Sequence, residues 1–192
     1  MEESKLLRLQ SAPYLELDNY KAPDGINAYF VIMDDGIKIR VCHWINKKNN
    51  CRGTILLQQG HNEFIEKYYE TIQEFMDRDY SVISFDWRGQ GMSDHQIDDI
   101  HKAFIKDFKR HDLDLKYILE EIIEENFPKP LIGIGHSMGG CLMLSAFHDH
   151  EKKFDLGILS APMLGFKNEK FLKVASSLMN FFKKDTDYLL GS

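Results

Sequence analysis

The sequence predicts an α/β fold: a mainly parallel sheet with helices on both faces, entered through an antiparallel hairpin. Three observations carry this. Strand-like and helix-like hydropathy patterns alternate along the chain, as repeated β-α units require. Two short runs, 54–57 and 81–85, are largely apolar rather than alternating, as expected of strands buried on both faces. Gly135-His136-Ser137-Met138-Gly139 stands between an apolar run and an apolar helical stretch, the context in which Gly-x-Ser-x-Gly forms a strand-turn-helix elbow.

Residues 26–33 read as a strand, Asp34-Asp35-Gly36 as a hairpin turn, and 37–45 as the returning strand, with Ile37, Ile39 and Val41 alternating. A polar loop, 47–53, leads to the buried-type strand 54–57. Residues 64–76 place Ile65, Tyr68, Ile72, Phe75 and Met76 at helical spacing, and strand 81–85 follows. The longest helical pattern is 100–127, with Phe104, Phe108, Leu115, Ile118, Leu119 and Ile122 on one stripe, ended by Pro128 and Pro130. The elbow strand 130–134, an elbow helix through 141–147 and a last strand at 156–159 complete the pattern, with Pro162 at the exit. From Gly165 the character changes: Phe171, Ala175, Leu178 and Phe182 form an apolar stripe among Lys167, Lys170, Lys173, Lys183 and Lys184, which reads as a helical insertion.

A chain of 192 residues, 43% hydrophobic and 28% charged, is one domain with an ordinary core, and disulfide staples are not required. The net charge of −6 without a basic patch argues against nucleic acid as a partner. Cys42, Cys51 and Cys141 lack metal-ligand spacing and read as buried, reduced thiols of a cytoplasmic protein. No metal or other cofactor is called for. Residues 1–10 lack the features of a signal peptide, and no apolar run is long enough to span a bilayer.

The chemistry lies in three segments expected at the carboxyl ends of parallel strands. The first is the elbow. Gly135 and Gly139 leave room for a tight turn that lifts the Ser137 hydroxyl clear of the sheet at a helix N-terminus, where unpaired N–H groups suit a developing oxyanion. The second is Gln58-Gln59-Gly60-His61-Asn62-Glu63, where the glycine lets backbone approach the serine and the His61 amide can pair with that of Met138 as an oxyanion hole. The third is Asp86-Trp87-Arg88-Gly89-Gln90-Gly91-Met92-Ser93-Asp94, a tight loop that Asp86 and Arg88 are suited to brace.

Gln-Gly-His-Asn-Glu, Asp-Trp-Arg-Gly-Gln-Gly-Met-Ser, Gly-His-Ser-Met-Gly-Gly and Ser160-Ala161-Pro162-Met163 occur in that order. Together they resemble the bacterial lysophospholipase and monoacylglycerol lipase branch of the α/β-hydrolases, the serine aminopeptidase S33 type, from about residue 26 to the end. Gln59 departs from it, since many relatives carry histidine before the glycine. The resemblance implies an α/β-hydrolase fold and a serine esterase of monoacyl lipids. Ser137 would be the nucleophile, and the backbone N–H groups of His61 and Met138 the oxyanion donors. Residues 1–164 would be the N-terminal part of the core and 165–192 the start of a helical lid. The lid stripe reads as burial on the domain. The sharper alternative is a lipid-facing helix, giving peripheral membrane contact through 166–184. A small lipid or ester is the implied partner.

In this superfamily the acid and the histidine follow the serine. Each further strand-plus-crossover unit takes about 30 residues, and Ser160-Ala161-Pro162 offers no carboxylate. The expectation is therefore a chain truncated before its last strands, with nucleophile and oxyanion hole but no acid or base. Among the histidines, His61, His95 and His101 fall on the active-site side, each with the blander reading of a loop residue. Three readings stay open: a monoacyl-lipid esterase, a truncated non-catalytic remnant of one, and an aminopeptidase or non-lipid esterase on the same fold.

Overall fold

The computed structural model describes residues 9–165. The chain divides after Pro162, so the described residues of the first unit are 9–162 and those of the second 163–165. The strands are β1 (Gln10–Ser11), β2 (Asn27–Ile32), β3 (Lys38–Trp44), β4 (Thr54–Gln58), β5 (Ser81–Phe85), β6 (Leu131–His136) and β7 (Leu156–Ser160), in spatial order β1-β2-β3-β5-β4-β6-β7. The first three run antiparallel, and β3 meets β5 antiparallel. From β5 across β4 and β6 to β7 the sheet is parallel. The hairpin turn forms where expected, with Met33 and Ile37 joined by a 2.9 Å bond and Gly36 at φ 83°.

Both faces of the central strands β4 and β5 are covered. A 3₁₀ turn (Ile65–Tyr68) and α1 (Tyr69–Met76) put Ile65, Tyr69 and Ile72 against Trp44, Ile55, Leu57 and Val82. The opposite face carries α2 (Lys109–Tyr117), a π-helical stretch (Ile118–Ile123), a last turn α3 (Glu124–Asn126) and the elbow helix α4 (Ser137–Asp149). Register explains how α4 sits so low. Leu56 pairs with Gly133 and Gln58 with Gly135, so the β6 residues beneath α4 are glycines, and a Cβ on Gly133 would run into Met143 and Phe147.

Two expectations are corrected. The long helix does not begin at residue 100. The side chain of Asp99 takes the His101 amide at 3.1 Å and its carbonyl takes that of Lys102, while Asp107 caps the Lys109 amide at 3.0 Å. These local bonds hold 100–108 in turns although its apolar spacing continues the stripe. Of the cysteines, only Cys42 is buried. Cys51 and Cys141 are partly exposed, and all three are free thiols. No helix among the described residues is long and apolar enough to cross a membrane.

Candidate active site

Chain order runs out from β4 to β5 on one side and returns to β6 on the other. The carboxyl end of β4 is thus a switch point, where open α/β sheets hold their sites. Three loops meet there. Ser137 follows β6 at φ 51°, a left-handed conformation rare for a side chain larger than glycine, and opens α4. The close packing needs its glycines. A Cβ on Gly135 would lie 2.6 Å from Gly139 O, and one on Gly139 would run into the carbonyls of Gln58 and Gln59. Ser137 is partly exposed, while Met138 behind it is buried. The Met138 amide lies in the first turn of α4, where N–H groups lack an intrahelical acceptor.

The turn after β4 lies against this serine. The position of a Cβ on Gly60 is 3.1 Å from Ser137 Cβ and 3.0 Å from Glu63 Oε2. Glu63 accepts the Gly60 amide at 2.7 Å and the Tyr68 hydroxyl at 2.7 Å, and pairs with Lys67 at 2.9 Å. Burial pushes this carboxyl up, but the bonds from Lys67, Tyr68 and Gly60 prevail and hold it at about 2. On the other side the Asn62 amide donates to Gln90 Oε1 at 2.5 Å. The amides flanking His61 are therefore both tied to side chains. That of His61 makes no such bond among the described residues.

Gln59 is anchored at both ends. Its Nε2 donates to Phe85 O at 2.9 Å and to Asp86 Oδ1 at 3.2 Å, and its carbonyl accepts Trp87 Nε1 at 3.0 Å. A side-chain amide thus ties this turn to the end of β5 and to Asp86. Asp86 is fully buried and also accepts the amides of Ile65 at 3.0 Å and Met92 at 2.8 Å, and Arg40 Nε at 2.7 Å. Arg40 reaches Glu66 with two further bonds of 2.6 and 2.7 Å. Burial raises Asp86 to about 6 despite the guanidinium. Arg88 grips Asp114 of α2 through two 2.6 Å bonds and Asp35 of the hairpin at 2.8 Å. Both loop residues expected to brace the glycine loop do so.

The sequence reading passes over His111, Glu63 and Arg40. His111 lies on α2, 2% exposed, edge-on to Trp87 (5.2 Å) and Phe108 (5.1 Å), and its Nδ1 has no partner among the described residues. Burial first, then Arg88 and His61, lower its imidazole to about 3. One signal was available: position 111 continues the stripe of Phe108, Leu115 and Ile118, so a polar residue there faces inward. Of the histidines singled out from sequence, His61 and His101 are exposed and His95 is half-buried, its Nε2 3.5 Å from Gly91 O. Among the described residues none of them bonds Ser137, and no group of three or more His, Cys, Asp or Glu is arranged to hold a metal. The lid expected at 165–192 lies outside the described residues except for Gly165, and the membrane-contact segment expected at 166–184 lies wholly outside them.

Residues 49–188 match the family model described as serine aminopeptidase, S33. The chain is 26% identical over 157 residues to a probable lysophospholipase L2 of Haemophilus influenzae, covering 81% of this chain and 50% of that one. It is 25% identical over 179 residues to the monoglyceride lipase of Rattus norvegicus, covering 90% and 52%. The chain spans about half the length of these curated relatives. A thermostable carboxyl esterase from Bacillus coagulans superposes with a TM-score of 0.66 at 18% identity, over 84% of this chain and 56% of the other, a likeness of fold.

Proposed function

From the premise that this chain belongs to the serine aminopeptidase S33 family of α/β-hydrolases, we propose that it serves hydrolysis of carboxylic esters of monoacyl lipids through an acyl-enzyme at Ser137. The observation that carries the reading is Ser137 itself: a left-handed residue at a helix N-terminus, wedged between glycines and backed by the Gly60 turn. The names of the curated relatives support a monoacyl-lipid substrate.

In this reading Ser137 Oγ attacks the ester carbonyl carbon. The carbonyl oxygen gains the negative charge and accepts the His61 and Met138 amides. One such donor contributes about 2.7–4 kcal/mol to the transition state. The serine proton passes to a general base and then to the leaving alcohol, and water releases the fatty acid by the same steps in reverse order. The base is not assigned to any described residue, since none of the histidines among them bonds Ser137.

The test is active-site labelling with a fluorophosphonate, mapped by mass spectrometry. Ser137 is expected to carry the label, and Ser137→Ala to abolish both label and hydrolysis of a monoacylglycerol. A label on another residue, or none, removes the assignment. A second reading, aminopeptidase activity, is favoured by the description of the matching family. Cleavage of aminoacyl p-nitroanilides without cleavage of monoacyl esters would select it.

A further inference from the structure

We propose that Tyr14, Leu15, Leu17 and Phe64 form a docking edge for an uncharged or zwitterionic lipid surface, at the rim of the Ser137 site. The inference rests on the lipid-esterase reading of Ser137 and assigns the contact with the lipid aggregate to the N-terminal segment.

The four side chains are among the large apolar groups the described residues leave in water: Leu17 is 65% exposed, Leu15 61%, and Tyr14 and Phe64 41% each. They are held by one set of bonds. The Leu15 amide donates to Glu66 Oε1 at 3.2 Å, and the Leu15 carbonyl accepts the Tyr69 hydroxyl at 3.2 Å. Arg40, which clamps Glu66, also donates to Pro13 O at 3.2 Å. The segment is thereby pinned to the 3₁₀ turn that Phe64 precedes. Glu16 turns back to accept the Ala22 amide at 3.0 Å, and Leu17 and Tyr20 close the loop with reciprocal bonds of 3.0 and 3.1 Å. Leu15 and Leu17, on either side of Glu16, remain in solvent on a backbone that is fixed. Little ordering entropy is then lost on contact.

The edge is continuous with the proposed site. Phe64 directly follows Glu63, which accepts the Gly60 amide beside Ser137. A monoacyl ester leaving a lipid aggregate at Phe64 would enter beside the turn that lies against Ser137. The chemistry of the edge selects the surface. Two leucines, a phenylalanine and a tyrosine match the boundary between head groups and acyl chains, where Tyr places its ring in the apolar layer and its hydroxyl in water. Of the charged residues beside it in sequence, Glu63 and Lys67 neutralise each other in a 2.9 Å pair, which leaves Glu16 and Asp18 against Lys21, and the chain carries a net −6. Anionic lipid is therefore repelled, and the attraction comes from apolar burial, which salt does not screen.

The experiment is sedimentation of the 192-residue chain with vesicles of phosphatidylcholine containing monoolein, and separately with phosphatidylglycerol vesicles, at low and high salt. Leu15→Glu/Leu17→Glu and the milder Leu15→Ser/Leu17→Ser are compared with the unsubstituted chain, with circular dichroism and thermal unfolding as checks of folding. The expected result is salt-insensitive binding to the phosphatidylcholine vesicles, weakened about tenfold or more in both folded double variants. The proposal is overturned if the unsubstituted chain does not bind, if either folded variant binds equally well, or if only phosphatidylglycerol is bound. It is also overturned if the substitutions convert a dimer to a monomer on size exclusion, which makes the edge a contact between copies. Hydrolysis of a soluble short-chain ester is measured in parallel. Its absence counts against the reading of Ser137, while sedimentation, which needs no catalysis, still decides the docking edge.

Discussion

Glu63 Oε2 accepts the Gly60 amide at 2.7 Å, and the Cβ position of that same Gly60 is 3.1 Å from Ser137 Cβ. One carboxylate thus fixes the turn that lies against Ser137 and carries the His61 amide proposed above as an oxyanion donor. Glu63→Ala is expected to lower kcat by about 10- to 100-fold with little change in KM, less than the full loss of about 10²–10³ for removing an oxyanion donor outright. Glu63→Gln keeps an acceptor and recovers most of it. Steady-state kinetics on a monoacyl ester separate the two, and a rise in KM alone would place Glu63 in substrate binding instead.

Gly139 has backbone on the side where a Cβ would go, so it cannot give way as a flexible side chain would. Gly139→Ala is expected to destabilise the fold by about 1–3 kcal/mol or more and to abolish labelling of Ser137. Urea unfolding should show a lower midpoint at unchanged slope. An unshifted midpoint would mean that α4 rides higher on the sheet than the register of β4 and β6 implies.

What was legible in the sequence is what burial writes into hydropathy. Runs 54–57 and 81–85 became central strands because both their faces are covered, and the elbow announced itself because its glycines are a steric necessity. Less legible was anything set by a polar partner far along the chain. Arg40 sits on a strand 46 residues from Asp86 and 26 from Glu66, and no pattern joins them. The spurious helical turns at 100–108 have the same origin, since the capture of amides by Asp99 and Asp107 competes with a stripe that hydropathy alone continues through them.

Gln58 ends β4 with its side chain fully buried and both amide atoms without a hydrogen-bond partner among the described residues. Its register partner, Gly135, places it on the face beneath α4. An unpaired buried amide costs about 1–3 kcal/mol per group, so Gln58→Met, close in shape, is expected to raise stability by about that amount. Thermal or urea unfolding measures it. A loss of stability would show that the amide is satisfied by an ordered water in solution.

His111 and Asp86 give stability opposite dependences on pH. Burial, with Arg88 and His61, lowers His111 to about 3, against about 6.5 when unfolded. The unfolded chain therefore takes up a proton that the folded protein refuses, and the stability this group contributes is lost as pH falls from about 6.5 toward 3. Asp86 runs the other way. Burial, outweighing Arg40, raises it to about 6, against about 3.9 unfolded, so its contribution is full below about 3.9 and lost as pH rises through 6. Between about pH 4 and 6 the two slopes oppose each other. His111→Phe should uncover the Asp86 slope, with stability falling as pH rises across this window. Asp86→Asn should uncover the His111 slope, with stability falling as pH drops. The lowered carboxylates Asp35, Glu63 and Glu66 add the same acid-side loss to every variant, so the difference between the two profiles is what counts. Urea unfolding across a pH series reads it. Parallel profiles would mean that neither group is held away from its unfolded value by the packing of α2 and β3 around the glycine loop.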